Sequence, residues 1–271
     1  MSESEITDDN QLTIEQAIVN LQCEDLGLRI YAAWWLGRFR MNVPEAIDLL
    51  IEALADEADR TEAGGYPLRR NAARALGKLG DCRAVSALIV SLECDDFYVR
   101  EAAAQSLEML GDSSCVAKLI ELLDNPIAST ASNIEPEQPF DAIIEALGTL
   151  GATESIPYIL PFLEHPIPRV KYAAARAMYQ LSEDPAVADR YGDRLVDALS
   201  NDDLQLRRTV LADLGAIGYL SAAEAIGNTM AENSLKLISL KGLLEKQIQL
   251  STPPDLTEGA VRVMALMDDL L

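Results

Sequence analysis

Apolar residues recur along the chain at the spacing of one face of an α-helix. A basic or aromatic residue is followed by small or aliphatic residues about three, four, seven and ten positions later, which matches the helical period. Most copies end in a glycine, a residue that commonly terminates helices, and a second short amphipathic run follows. The pattern occurs six times, starting at Arg29, Arg69, Arg100, Phe140, Lys171 and Arg207. Each copy therefore predicts a pair of antiparallel helices.

One such pair cannot bury its own apolar face, so the pairs are expected to stack. We predict an all-α fold, a HEAT-like α/α superhelix (solenoid) of about six helix pairs, in one domain spanning residues 1–271. Two pairs carry loop insertions, at residues 56–67 and 125–139, because the repeat spacing there is 40 residues instead of 31. We expect residues 1–11 to be flexible and residues 251–271 to form a linker and a terminal helix.

Charge and composition exclude several classes of protein. The sequence contains 22 Lys+Arg and 44 Asp+Glu, a net charge of −22, which argues against binding to nucleic acid or to an anionic membrane surface. No apolar stretch approaches the length that spans a bilayer, and the acidic start resembles no targeting peptide. We expect a cytoplasmic protein.

Standard catalytic and metal-binding signatures are missing from the sequence. It contains no GxSxG, HExxH or GxxxxGK[ST] motif. The four cysteines, Cys23, Cys82, Cys94 and Cys115, lie far apart and far from His165, the only histidine, so we predict structural thiols and no metal site. Helical solenoids mostly bind other molecules, which favours an interaction protein.

A basic and aromatic patch is predicted in the first two repeats. Residues 29–83 carry nine basic and eight acidic side chains, a net charge of +1, and the rest of the chain carries −23. Arginine binds carboxylates in a bidentate manner and aromatic rings stack on flat ligands, so the patch suits a planar conjugated ligand with carboxylates. Alternatively, the tryptophans cover the end of the stack and the arginines pair with neighbouring acids. The residues predicted to face outward here include Tyr31, Trp34, Trp35, Arg38, Arg70 and Arg74.

Residues 25–37 (DLGLRIYAAWWLG) and 61–81 (TEAGGYPLRRNAARALGKLGD) resemble the E subunit of the E/F-type phycobilin lyases. Residues 96–103 and 237–244 extend the resemblance over nearly the whole chain. It implies a phycocyanobilin lyase that works as a heterodimer with an F-type subunit and attaches phycocyanobilin by a thioether bond to a cysteine of the phycocyanin α subunit. The bilin would be the substrate, no cofactor would be needed, and the acceptor would supply the thiol. This chain would hold and orient the bilin.

From this resemblance we assign hypothetical roles by side-chain chemistry. Arginines would bind the two propionates, aromatic rings would pack on the pyrroles, and a carboxyl of the first insertion would bond pyrrole nitrogens and help protonate the bilin. Three alternatives stay open: a non-catalytic chaperone or scaffold for phycobiliproteins, the E subunit of a phycoerythrocyanin lyase-isomerase, and an unrelated solenoid adaptor for a basic protein. For the lyase, the candidates that bind the propionates are Arg38, Arg70 and Arg74. The candidates that pack on the pyrroles are Tyr31, Trp34, Trp35 and Tyr66, and the candidate carboxyl is that of Asp59 or Glu62.

Overall fold

The computed structural model describes residues 12–123, 138–251 and 256–271. Within these ranges it contains α-helices and short 3₁₀ turns and no β-strand, so the predicted all-α class is confirmed. The helices are α1 (Ile14–Leu21), α2 (Leu26–Phe39), α3 (Pro44–Ala53), α4 (Pro67–Leu79), α5 (Val85–Ser91), α6 (Phe97–Leu110), α7 (Val116–Leu123), α8 (Phe140–Thr149), α9 (Ile156–Ile159), α10 (Pro168–Leu181), α11 (Pro185–Ala198), α12 (Leu204–Ile217), α13 (Ala223–Asn228), α14 (Asn233–Leu250) and α15 (Glu258–Asp268).

The first helix of a repeat begins and ends at residues that the sequence marks. The side chain of Asp96 accepts a hydrogen bond from the Tyr98 N–H at the start of α6, and Asp203 does the same for Gln205 at the start of α12. Such N-caps satisfy amide groups that the helix itself leaves unpaired. At the other end, Gly80, Gly111 and Gly218 adopt positive φ angles of 75°, 71° and 68°, a conformation that glycine adopts without steric cost.

A second set of glycines sets the spacing between neighbouring repeats. A Cβ added to Gly77 of α4 would lie 2.7 Å from Ser106 Cβ of α6, and one added to Gly148 of α8 would lie 2.7 Å from Ala177 Cα of α10. The same relation holds between Gly37 and Ala75. Small residues in these positions let the first helices of consecutive repeats approach closely, as stacked helix pairs require.

Backbone contacts divide the chain into two compact units. The first is Met1–Lys118 with Ala131–Pro139, and the second is Leu119–Thr130 with Phe140–Leu271. In the first unit α2 packs on α4 and α4 on α6; in the second, α8, α10, α12 and α14 follow one another in the same way. The expectation of a single domain over residues 1–271 stays a prediction.

The repeat pattern does not predict helix α1. Helix α1 precedes the first predicted repeat, and its Thr13 and Gln16 form a capping box. Helix α15 lies within residues 251–271, where a linker and a terminal helix are expected. Residues 1–11, most of the second insertion and residues 252–255 lie outside the described ranges. No helix among the described residues is long and apolar enough to cross a membrane.

Candidate functional site

The predicted patch lies on two adjacent helices of the first unit, α2 and α4. Asn71 Nδ2 donates to the Ile30 carbonyl (3.5 Å), and Gly37 lies against Ala75 further along both helices. The contact that lies later in α2 also lies later in α4, so the two helices run parallel. Trp34 and Arg74 occupy equivalent positions of these helices, five residues after Arg29 and Arg69. The fold therefore brings the aromatic and the basic parts of the patch to neighbouring helices.

Tyr31 and Trp34 form an exposed aromatic pair on α2. Their ring centroids lie 5.5 Å apart at an interplanar angle of 30°, a stacked arrangement. Tyr31 is 49% exposed and Trp34 is 45% exposed. Large aromatic surface left open to water commonly marks a binding site, and this pair offers such a surface to a flat ligand.

The basic side chains of the patch remain accessible. Arg38 is exposed near the end of α2, and Arg70 and Arg74 are partly exposed on α4. Arg74 Nη2 lies 3.7 Å from Glu101 Oε2, a long ion pair. This contact is the kind that the alternative interpretation predicts, in which the arginines pair with neighbouring acids. The Nε atom of Arg70 is buried and has no hydrogen-bond partner. A buried guanidinium N–H without a partner is costly.

Trp35 does not face outward, and the predicted exposure is wrong. The side chain is 6% exposed; its ring lies 5.2 Å from that of Phe39 and borders a cavity lined by Leu12 and Ile14. Trp35 is six residues after Arg29, and the equivalent Ala75 is also buried. This position faces the preceding helix of the stack, which for Trp35 is α1.

The first insertion is tied to the helices by its own polar groups. Arg29 pairs with Asp56, Arg69 Nε donates to the Asp56 carbonyl (2.7 Å), and Arg69 Nη2 lies 2.6 Å from Glu57 Oε1. Arginines bonded to both carboxylates and carbonyls fix a loop more firmly than surface ion pairs do. Arg29 and Arg69, the first residues of their repeats, therefore hold the insertion against the helices.

Tyr66 and Asp59 of this insertion are turned inward, so their expected exposure to a ligand is corrected. The Arg69 guanidinium lies 4.0 Å from the centroid of the Tyr66 ring, which is 4% exposed. Asp59 is 3% exposed, and its Oδ2 accepts the Leu68 N–H at the start of α4. Burial raises the pKa of the Asp59 carboxyl, although the Leu68 N–H opposes the shift. Glu62 is exposed on the same loop.

A cleft of about 430 Å³ opens beside Arg70, between the insertion and the start of α6. Sequence reasoning missed it, because Phe97 and Tyr98, which line it, precede the first position of the repeat. The Tyr98 ring is 46% exposed and lies 5.8 Å from the Arg70 guanidinium carbon. The signal in the sequence was the run of two aromatic residues directly after the N-cap Asp96. The full lining is Thr61, Ala63, Gly64, Gly65, Tyr66, Pro67, Arg70, Asp95, Asp96, Phe97 and Tyr98.

The cysteines and the histidine form no site among the residues that the structure describes. All four cysteines are free thiols, and no group of three or more His, Cys, Asp or Glu side chains could hold a metal ion in these ranges. His165 Nδ1 accepts the Ile167 N–H (3.2 Å), and its ring lies against Phe162. Burial lowers the pKa of His165.

Two family models match the chain. One describes HEAT repeats and matches residues 61–133. The other describes the PBS lyase HEAT-like repeat and matches residues 28–56 and 141–165. Both agree with the predicted HEAT-like repeats.

Three known proteins resemble the chain along nearly its whole length. The phycocyanobilin lyase subunit alpha of Pseudanabaena tenuis is 83% identical over 99% of both chains. The phycocyanobilin lyase subunit alpha of Microchaete diplosiphon is 73% identical over 98% of this chain and 92% of its own. The structure of the complex of CpcE and CpcF of phycocyanin lyase from Nostoc sp. PCC7120 contains a chain that is 59% identical, covers 100% of both chains and superposes with a TM-score of 0.87.

Proposed function

Because the chain belongs to the family of phycocyanobilin lyase alpha subunits, the E subunits of E/F-type lyases, we propose that it is one half of a heterodimeric phycocyanobilin lyase. Its partner is an F-type subunit, and its acceptor is a cysteine of the phycocyanin α subunit. The observation that carries this proposal is the 83% identity to the Pseudanabaena tenuis protein over 99% of both chains. The same identity favours simple attachment over attachment coupled to isomerisation.

The chemistry of the reaction fits a chain without a catalytic motif. The acceptor thiol adds to the exocyclic double bond of the bilin. A carbon–sulfur bond forms, the carbon–carbon π bond breaks, and the thiol proton ends on the neighbouring ring carbon. The nucleophile comes from the acceptor, so the lyase contributes by holding the bilin close to the thiol in the right orientation, which alone accelerates a bimolecular step strongly.

We assign the binding of the bilin to what we call the cradle: Tyr31, Trp34, Arg38, Arg70 and Arg74. The stacked pair Tyr31 and Trp34 offers two ring faces to the pyrroles. The arginines offer bidentate donors to the two propionates, and all three are at least partly exposed. Trp35, Tyr66 and Asp59 are buried, so we do not include them in the cradle.

Reconstitution tests the function. Purified chain, F-type subunit, phycocyanobilin and apo phycocyanin α subunit are mixed, and the covalent product is read by zinc-enhanced fluorescence in a denaturing gel. We expect product only when both subunits are present. Acceptor binding without product would indicate the scaffold alternative, and no affinity for bilin or acceptor would indicate the unrelated adaptor.

A pair of matched variants tests the cradle in the same assay. Trp34→Leu removes a ring of the aromatic pair and is expected to slow attachment about tenfold, the worth of one aromatic stack. Tyr158→Leu removes a ring that is also partly exposed, 37% against 45%, but lies in the second unit, and should leave the rate unchanged. Equal rates for the two variants would contradict the assignment of Trp34.

A further inference from the structure

The cleft beside Arg70 carries three groups that the proposed cradle does not use. They are the ring of Phe97, the ring of Tyr98 and the carboxylate of Asp95. All three lie in the first unit, at the start of α6, and Arg70 joins the cleft to the cradle. The cleft volume of about 430 Å³ lies within the range of small-molecule sites. It can therefore take one end of an extended bilin whose remainder lies on α2 and α4.

The walls of the cleft are held in place independently of any ligand. The Tyr66 N–H donates to Asp96 Oδ2 (2.7 Å), and the Tyr98 N–H donates to Asp96 Oδ1 (2.8 Å). Asp96 thereby links the insertion to α6 through both carboxylate oxygens. The Phe97 and Tyr98 rings meet edge to face with centroids 5.5 Å apart. A site built in this way is preorganised, which lowers the cost of binding.

Asp95 is the acid of the cleft that remains available to a ligand. Its side chain is exposed, and among the residues that the structure describes only its backbone carbonyl is engaged, by Arg100 Nη1 (3.0 Å). Its neighbour Asp96 has both oxygens occupied, and Asp59 of the insertion is sealed by burial. The charged groups that line the cleft are Arg70, Asp95 and Asp96, so a ligand there meets one cation and one uncommitted carboxylate.

This arrangement offers partners to three features of one end of a bilin: a propionate, a pyrrole ring and the pyrrole nitrogens. A propionate pairs with the Arg70 side chain, which is partly exposed and lines the cleft. A pyrrole ring packs against Tyr98, and pyrrole N–H groups are donors for a carboxylate. A carboxylate beside the conjugated nitrogens also stabilises the protonated, cationic bilin. A positively charged conjugated system is the better electrophile, because the π electrons of the exocyclic double bond move toward the ring when the thiol attacks.

We propose that Asp95 contacts the pyrrole nitrogens of the bilin bound in this cleft and promotes thiol addition by stabilising the protonated bilin. The proposal rests on the proposed lyase function. In the reaction the acceptor sulfur forms a bond to the exocyclic carbon, the π bond breaks, and a proton is delivered to the adjacent ring carbon as the thiol loses its own. Asp95 stays a carboxylate throughout and changes only the stability of the positive charge.

The test uses the complex of the full chain with its F-type subunit, and the variants Asp95→Asn and Asp95→Glu. Asp202→Asn serves as the matched control, since Asp202 is also exposed but lies in the second unit. Two quantities are measured: the absorption spectrum of bound phycocyanobilin, which shifts to longer wavelength on protonation, and the rate of covalent attachment to the apo acceptor.

For Asp95→Asn we expect absorption of the bound bilin at shorter wavelength and attachment slowed at least about tenfold, the effect of losing one hydrogen bond to a charged group. Asp95→Glu should restore both in part, and Asp202→Asn should match the wild type. If Asp95→Asn gives the wild-type spectrum and rate while the wild type is active, the role of Asp95 is refuted and the lyase function stands. A wild-type complex that neither binds bilin nor forms product refutes both.

Discussion

Replacing Gly148 by alanine tests the close packing of successive repeats in the second unit. The added Cβ would lie 2.7 Å from Ala177 Cα, 2.8 Å from Ala177 Cβ and 2.7 Å from Gln180 Oε1. Carbon atoms in contact prefer about 3.5–4.0 Å, so α8 and α10 must separate by roughly 1 Å. Overpacking of this kind costs about 1–3 kcal/mol, and the higher helix propensity of alanine returns up to ~1 kcal/mol. We expect a net loss of about 1–2 kcal/mol in the free energy of unfolding.

Gly227→Ala is the matched control in the same unit. Gly227 lies in α13, and a Cβ there meets only Leu266 Cδ2, at 3.8 Å. The substitution should therefore be neutral or stabilise the protein by up to about 1 kcal/mol. Urea unfolding followed by circular dichroism gives the midpoint and slope of each variant. If Gly148→Ala unfolds at the same urea concentration as Gly227→Ala, the glycine does not set the distance between the helices.

Two further predictions concern buried titratable groups. Burial and a 2.7 Å hydrogen bond to Asp193 raise the pKa of Tyr219 from 10.0 to about 12, so its contribution to stability is complete below pH 10 and is lost as the pH rises toward 12. Burial also raises the pKa of Tyr179, so in an ultraviolet titration more than one tyrosine should ionise late. Tyr219→Phe should reduce the amplitude of this late phase by one tyrosine, and an unchanged amplitude would contradict the assignment. The substitution Asp59→Asn keeps an oxygen that accepts the Leu68 N–H. It removes a buried carboxyl group whose pKa is raised by burial. Its stability relative to wild type should therefore be greater at pH 7 than near pH 4, and a pH-independent difference would refute this.

The fold was predictable because each repeat carries its own signals. The residue spacing after Arg69 and Arg100 specifies one buried helix face, and Gly80 and Gly111 mark where α4 and α6 end. Helix α1 was missed although Thr13 and Gln16 form a capping box, since no repeat starts there. Local patterns thus predict the helices inside the repeats, but they do not predict a helix that lies outside them.

The candidate site was predicted in part, because its residues depend on neighbouring elements. Counting faces on one helix pair places Trp35 outside, whereas the stacking of α1 on α2 buries it. The insertion turns Tyr66 inward through Arg69, a contact that no spacing rule contains. Trp34 and Arg74 remain accessible, as predicted, because they face neither the preceding helix nor the second helix of their own pair.

Binding of the bilin by the cradle depends on contacts between its arginines and the two propionates. The direct measurement compares the affinity of the heterodimer for phycocyanobilin and for its dimethyl ester, in the wild type and in the variant Arg70→Gln with Arg74→Gln. Loss of a charge-assisted hydrogen bond weakens binding about tenfold or more. We predict that esterification weakens binding to the wild type by this factor and leaves binding to the variant unchanged. If esterification weakens binding to both proteins equally, the propionates bind elsewhere and the cradle is refuted.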